Sequence, residues 1–390
     1  MLFLAGLLLT LVNAIAIAAG WLALRRIRIR RLPTRSAATL VLPLTGRVPG
    51  LGDLFACLEN QTDPIRRVVV AVESTNDPAF AAVAARRATT RLRIDVVIAG
   101  PSTNASQKVC NLVAAIGALE PADRVVVFLD ADIRPQPWWL ATLQSPVVGG
   151  RAAAATGYRW QSAPVTALGA VIATIDRSIA MVPFRRRGRI LWGGSTAIRR
   201  DVLDQIDYAR ALAGAVSDDL RLGEALHRAG HRVAQLGSVL VPTPGDEIRG
   251  IRLNFLVRQY RIVRVNRPAL HALAGAWIGL RLALWSAVVL QLPEDTLASA
   301  VLAADLVASL VKAAIRDRIA LAIGSPDSTR ARIGQFACAV LSPLVDIVHA
   351  IGIVGGAVSR RIRWGHVDYL LEAPGRTLVL ARRSPAGDPA

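Results

Sequence analysis

Val125-Val-Val-Phe-Leu-Asp130-Ala-Asp132-Ile-Arg-Pro135 is the stretch that decides how this chain is read. Five apolar, mostly β-branched residues predict a short buried strand. The strand runs straight into two carboxylates spaced two apart. Such a pair at a strand end can face a hard divalent cation, Mg²⁺ or Mn²⁺, and leave oxygen positions open for a nucleotide diphosphate. Taken alone, a D-x-D is also the pattern of two exposed turn aspartates. Its place at the end of an apolar strand is what favours chemistry.

Working outward, similar runs occur at Thr39–Leu42, Val68–Val72 and Ile94–Ile98. Ala-rich helical stretches lie between them, at Pro78–Thr89 and Val109–Leu119. Strands alternating with helices predict an α/β domain with a mostly parallel sheet. Functional residues in such a sheet gather beyond the carboxyl ends of its strands.

The flanks are different. Residues 1–24 carry no charge and suit one transmembrane anchor. Arg25, Arg26, Arg28, Arg30 and Arg31 follow, which places the chain after residue 24 in the cytosol. A cleaved signal peptide would have a basic start and a shorter apolar core. Val165–Phe184 is apolar but holds Asp176 and Arg177, as expected of a helix at the membrane interface. Ala269–Leu292 is long enough to span, with one charge at Arg281. Leu297–Val311 is shorter and contains Asp305. Ile333–Val358 is interrupted by Pro343 and Asp346, which predicts a broken helix, re-entrant or interfacial. The expected organisation is an anchor (1–24), a cytosolic catalytic domain (25–268), membrane helices (269–358) and a basic cytosolic tail (359–390).

Composition agrees with a mixed protein. Hydrophobic residues make up 53% of the 390, too many for an ordinary soluble enzyme, while 19% are charged, too many for bare membrane helices. The net charge of +19 asks for an anionic partner, and the apolar spans favour a lipid bilayer over nucleic acid. Cys57, Cys110 and Cys338 are scattered and suggest neither a disulfide framework nor a zinc site. Of the 47 basic residues only Lys108 and Lys312 are lysines, so Lys108 stands out in a domain that otherwise uses arginine.

Three further motifs carry chemistry. Ala215-Val-Ser217-Asp218-Asp219-Leu220 opens a helix over Leu220–Ala229. Ser217 or Asp218 suits an N-cap, and one of the carboxylates suits a general base for an acceptor hydroxyl. Arg258-Gln259-Tyr-Arg261-Ile-Val-Arg264 sets three arginines three apart, either a juxtamembrane basic cluster or a clamp on a diphosphate or acceptor headgroup. Glu73-Ser-Thr-Asn76-Asp77-Pro78 ends a strand. It reads as an Asx-type turn into a helix, or as acceptors for a base or ribose.

In order, these motifs resemble the family 2-like, GT-A fold glycosyltransferases, most closely the ceramide glucosyltransferase group and its bacterial relatives. The resemblance covers roughly residues 1–375. It is carried by Pro43-Leu-Thr-Gly46, Glu73 to Pro78, Gln107-Lys108-Val-Cys-Asn111-Leu, Leu129 to Arg134, Gly193-Gly-Ser-Thr to Leu203, Ser217-Asp-Asp219, Arg258-Gln-Tyr-Arg261 and the late basic stretch Arg361, Arg363, Trp364, Gly365. It implies that Glu73 and Asp77 hold uridine, that Lys108 lies near the nucleotide, and that Asp130 and Asp132 hold the metal, with Asp132 the main ligand. It implies Asp219 as the base and sets Arg258 and Arg261 in a Q/R-x-x-R-W motif. Three positions depart from the pattern: Ile262 replaces the motif's Trp, Asp218 precedes the base aspartate, and Glu73 stands where an Asp or Gln is expected.

The expected protein is thus a membrane-bound, metal-dependent, inverting glycosyltransferase that moves a sugar from a UDP-sugar to a lipid hydroxyl of ceramide, diacylglycerol or hopanoid type. A processive polysaccharide synthase shares the D-x-D, the base and the arginines, but needs more spans and the missing Trp. A non-enzymatic scaffold for anionic lipid leaves Asp130, Asp132 and Asp219 unexplained.

Overall fold

Val125–Leu129 is buried along its whole length because neighbours cover both faces of its sheet. Alternate residues point to opposite faces. Val125, Val127 and Leu129 therefore join one core with Leu40, Leu42, Val68 and Val70. Val126 and Phe128 join the other with Val41, Val69 and Ala71. Two-sided burial explains why these strands read as unbroken apolar runs rather than alternating ones.

The computed structural model describes residues 2–27, 33–182, 190–244, 253–291 and 296–384. The chain divides into two compact units. The first is helical and comprises Met1–Ile29, Trp160–Pro183 and Pro244–Ser359. The second is built on sheets and comprises Arg30–Arg159, Phe184–Thr243 and Arg360–Ala390. The expected continuous domain over 25–268 is therefore interrupted. The segment beginning at Trp160 and the chain from Pro244 onward belong with the helices.

The sheet unit is α/β, as expected. Seven strands are β1 Ala38–Pro43, β2 Ile65–Val72, β3 Ile94–Ile98, β4 Val125–Leu129, β5 Ala154–Gln161, β6 Ser195–Arg199 and β7 Val233–Thr243. Their spatial order is β3-β2-β1-β4-β6-β5-β7. β1 pairs parallel with β2 and β4, and β2 with β3. β6 runs antiparallel to β4 and β5. Helices Pro78–Arg87, Gln107–Gly117 and Asp218–Arg228 bring the candidate residues to the carboxyl-end side of the parallel strands.

Residues 361–382 of the expected basic tail are folded, which their composition did not announce. β8 Arg361–Trp364, β9 Val367–Ala373 and β10 Arg376–Arg382 form an antiparallel sheet in the order β10-β9-β8.

The helical unit follows the apolar runs with two changes. Gly6–Ile27, within the helix Leu2–Ile27, and the helices Pro268–Gln291 and Thr296–Ala322 are each long and apolar enough to cross a membrane. The last was expected to end at Val311. It continues for 27 residues in all, about 40 Å at 1.5 Å per residue, more than a bilayer's ~30 Å core. Lys312 donates to Asn13 Oδ1 at 2.7 Å, and Asn13 donates to Asp305 at 2.8 Å. The charges that end the apolar run therefore face other helices, where polar groups find partners. Arg281 likewise reaches Asp346 at 2.8 Å and Asp305 at 3.6 Å.

The second change concerns residues 333–358. Thr329–Val340 and Ser342–Val358 meet at 90°, so the segment is broken as expected and begins four residues earlier. Pro343 opens the second helix, where its missing N–H costs nothing. If the bent pair is one span the candidates number four, otherwise three. Within the expected Val165–Phe184 segment, Ala167–Ala180 is helical; Pro183 and Phe184 lie outside the described residues. Arg177 is fully buried there, bidentate to Asp327 at 2.6 and 2.7 Å and stacked over Trp160.

Candidate active site

β4 ends at Leu129 and delivers Asp130 and Asp132 beyond its carboxyl end. Ser106 caps the helix that follows β3 by accepting from Val109 N, which places Lys108 in the first turn. From there Lys108 Nζ lies 2.8 Å from Asp130 Oδ1 and 3.3 Å from Asp218 Oδ1. Three segments far apart in sequence thus meet at one ammonium group. Burial works against the charge on Lys108, but Asp130, Asp218 and Asp219 outweigh it and raise its pKa.

Ser217 is the N-cap of Asp218–Arg228 and accepts from Leu220 N. Asp218 is buried. Desolvation pushes its pKa up to about 6, with Lys108 pulling against the rise and Asp219 adding to it. Asp219 is half-buried. Its Oδ1 accepts from Leu220 N at 2.8 Å and from the Ser217 hydroxyl. Both bonds converge on one oxygen, so the carboxylate is held in a fixed orientation.

Asp132 stays exposed to solvent on one side. Protein crowded around its other sides, and next the Asp130 carboxylate, raise its pKa, while Arg159 and Lys108 oppose the rise. Two like charges near one another are the arrangement a cation would relieve. Among the described residues no group of three or more His, Cys, Asp or Glu is placed to hold a metal by itself.

Gly193 and Gly194 close the other side. A Cβ on Gly194 would lie 2.7 Å from Asp130 Oδ2, and one on Gly193 would strike the Asp218 carboxylate and lie 3.1 Å from Lys108 Nζ. Only glycine lets the backbone come this close. The sequence motif alone assigns these glycines no role; the Gly-Gly pair just before a strand was the available signal.

Glu73 and Asp77 leave the end of β2 and are both buried. Asp77 is an N-cap. Its Oδ1 accepts from Ala79 N at 2.9 Å and from Gly46 N at 2.8 Å, tying the loop after β1 to the helix Pro78–Arg87. Glu73 accepts from Arg382 at 2.8 Å, and His366 Nε2 lies 2.9 Å from its other oxygen. Arg382 and His366 come from the C-terminal sheet and were missed in the sequence. The signal was there: two alternating runs around Pro374-Gly375 read as a hairpin.

The arginine motif sits in the helical unit, on Leu253–Asn266. Arg261 donates to Gly355 O at 2.8 Å and Arg264 to Ala357 O. These carbonyls end the helix Ser342–Val358, so the two arginines satisfy its last turn. Arg258 lies over the Phe255 ring at 5.7 Å, and Gln259 is half-buried beside it. The structure thus gathers Lys108, Asp130, Asp132, Asp218 and Asp219 in the sheet unit, and carries Arg258, Gln259, Arg261 and Arg264 on the helical one.

Comparison with known proteins was made on sequence and on structure. The profile described as glycosyl transferase family 21 matches residues 8–377. No curated protein matches the chain. Among solved structures, the mannosyltransferase PcManGT from Pyrobaculum calidifontis, in complex with GDP-Man and Mn²⁺, is 15% identical. The match covers 92% of this chain and 98% of that one, with a TM-score of 0.50. That likeness establishes the fold, an α/β domain of the GT-A kind with additional apolar helices. Glucosyl-3-phosphoglycerate synthase from Mycobacterium tuberculosis, with Mn²⁺, UDP-glucose and phosphoglyceric acid, also matches. It is 16% identical over 60% of this chain and 77% of that one, with a TM-score of 0.38.

Proposed function

The chain belongs to glycosyl transferase family 21, the ceramide glucosyltransferase-like family, and from that membership we propose that it is a membrane-bound inverting enzyme that transfers a sugar from a UDP-sugar to a lipid hydroxyl. The observation that carries the proposal is the convergence of Asp130 and Asp218 on Lys108 at the strand ends. That arrangement supplies a cation for a diphosphate and carboxylates for a metal and a base within one small space.

Asp130 and Asp132 fit a hard divalent cation. They offer carboxylate oxygens, the donors that Mg²⁺ or Mn²⁺ prefers, with room left in the shell for phosphate oxygens and water. When bound, the cation neutralises charge on the leaving diphosphate. Lys108 adds a fixed positive charge on the same side. Glu73 and Asp77 line the nucleoside end, and Asp219 takes the proton of the acceptor hydroxyl as its oxygen attacks the anomeric carbon. One base and no carboxylate nucleophile make a single displacement with inversion. Arg258, Gln259, Arg261 and Arg264 serve the diphosphate or the acceptor headgroup, and the apolar helices bring a lipid acceptor from the bilayer.

Membranes containing the protein, incubated with radiolabelled UDP-sugars, should yield a labelled product in the lipid extract. Label only in polymer would instead mark a processive synthase, and label only in water-soluble product would overturn the lipid acceptor.

The proposed topology has three true spans, an external N-terminus and a cytosolic C-terminus. A full crossing by 333–358 would put Arg360, Arg361 and Arg363 outside, against the positive-inside rule. The 90° bend between Val340 and Ser342 supports a re-entrant or interfacial path. A Cys at Ser384, on a background lacking Cys57, Cys110 and Cys338, should resist an impermeant reagent in intact cells and react once they are opened. Ready labelling in intact cells would mean that the segment crosses.

A further inference from the structure

The C-terminal sheet does more than end the chain. Arg382, on β10, holds three elements at once. Its Nη1 donates to Glu73 Oε1 at 2.8 Å and to Gln107 Oε1 at 3.1 Å. Its Nη2 donates to Ser102 O and, at 2.9 Å, to Ser102 Oγ. Those partners are the end of β2, the loop after β3 and the first turn of the helix that carries Lys108. Tyr369, on β9, accepts from Gln107 N at 3.0 Å, satisfying an N–H that the start of that helix leaves without a helical partner. Gln107 in turn accepts from Ser102 N at 2.9 Å and donates to Gly100 O at 2.8 Å.

His366 Nε2 lies 2.9 Å from the second oxygen of Glu73, and both residues are more than nine-tenths buried. At its far turn the same sheet lies on Gly214, where an added Cβ would strike Gly375 O. Gly214 precedes the Ser217-Asp218-Asp219 segment, and Ala215 O accepts from Ser106 N at 2.9 Å. The sheet therefore meets the strand-end rim at Glu73, at the Ser102 loop with Gln107, and at Gly214.

We infer that the C-terminal sheet is the nucleobase-side wall of the donor site, and that Arg382 is a positioning residue for the nucleoside of a nucleoside diphosphate. The inference rests on the donor reading above, in which Glu73 marks the nucleoside end and Lys108, Asp130 and Asp132 the diphosphate end. A buried carboxylate stays where the guanidinium bonded to it holds it. Without Arg382, Glu73 and the Ser102 loop lose their common anchor, while the Lys108–Asp130–Asp218 contacts do not involve Arg382 at all.

That asymmetry makes the test. The full chain in nanodiscs with Mn²⁺ is titrated calorimetrically with UDP and, separately, with inorganic pyrophosphate, which has no nucleoside. In Arg382→Ala the Kd for UDP should rise about tenfold or more, the loss expected for a charge-assisted contact, and the Kd for pyrophosphate should stay within about twofold. Arg382→Lys should recover part of the UDP affinity. Tyr369→Phe, which keeps the ring and removes the hydroxyl, should raise the UDP Kd to a smaller extent. Equal weakening of both ligands in Arg382→Ala would make the sheet a general stabiliser and overturn the inference. Unchanged UDP affinity would do the same. If Arg382→Ala does not fold, unchanged UDP affinity in both Arg382→Lys and Tyr369→Phe overturns it, and a selective loss in either supports it. If the unaltered protein binds pyrophosphate but neither UDP nor another nucleoside diphosphate, the donor reading itself fails, and this inference fails with it.

Discussion

Asp219→Asn should slow sugar transfer by about 10²–10⁴-fold while leaving donor affinity almost unchanged. The substitution keeps the size of the side chain and removes its capacity to take a proton. The Ser217 hydroxyl and Leu220 N both bond to Oδ1, so an amide oxygen in the same place keeps the local geometry. The neighbouring change separates the roles. Asp218 is buried against Lys108, and Asp218→Asn removes one of the charges that hold the ammonium. It should act first on donor KM. The two variants, measured as kcat and KM with a UDP-sugar, distinguish the neighbours. A larger loss of kcat in Asp218→Asn than in Asp219→Asn would transfer the role of base to Asp218.

Removing the metal should have an effect of similar size. A chelator should stop transfer, and Mg²⁺ or Mn²⁺ should restore it, because several kcal/mol of charge stabilisation on the leaving diphosphate is lost with the cation. Asp132→Asn should lower kcat/KM by about 10³-fold, equivalent to about 4 kcal/mol. Asp130→Asn should cost less, since Asp130 is also tied to Lys108 at 2.8 Å, and that lysine retains Asp218. Full activity in chelator, with Asp132→Asn behaving like the unaltered protein, would remove the cation from the mechanism.

The carboxyl end of the sheet, with its candidate residues, was legible because its local signals are strong and agree. Val125–Leu129 and Ile94–Ile98 are strands over the residues their apolar runs mark out. Ser217 and Asp77 cap helices, as their positions before helical stretches suggest. Pro343 marks the break in the late apolar segment. Each of these depends on backbone geometry and burial within a few residues, which composition and period report directly.

Contacts across long separations were not legible. Hydropathy ended the helix Thr296–Ala322 at Val311, because a sequence window counts Lys312 as a charge and cannot see that Asn13 accepts from it while donating to Asp305. The two units also interleave in sequence, so no linear boundary separates them.

By itself the sequence determined the α/β class, the apolar helices and the carboxylate pair at the end of β4. These follow from periodicity, length and the chemistry of neighbouring side chains. Only the tertiary structure decided which charges meet. It brought Asp130 and Asp218 to one lysine from 22 and 110 residues further along the chain. It also set Arg382 on Glu73 across 309 residues of chain. A charge–charge contact of this kind has no period and no fixed spacing. It exists because the strand order of the two sheets carries those side chains to the same rim, where burial makes each require the other.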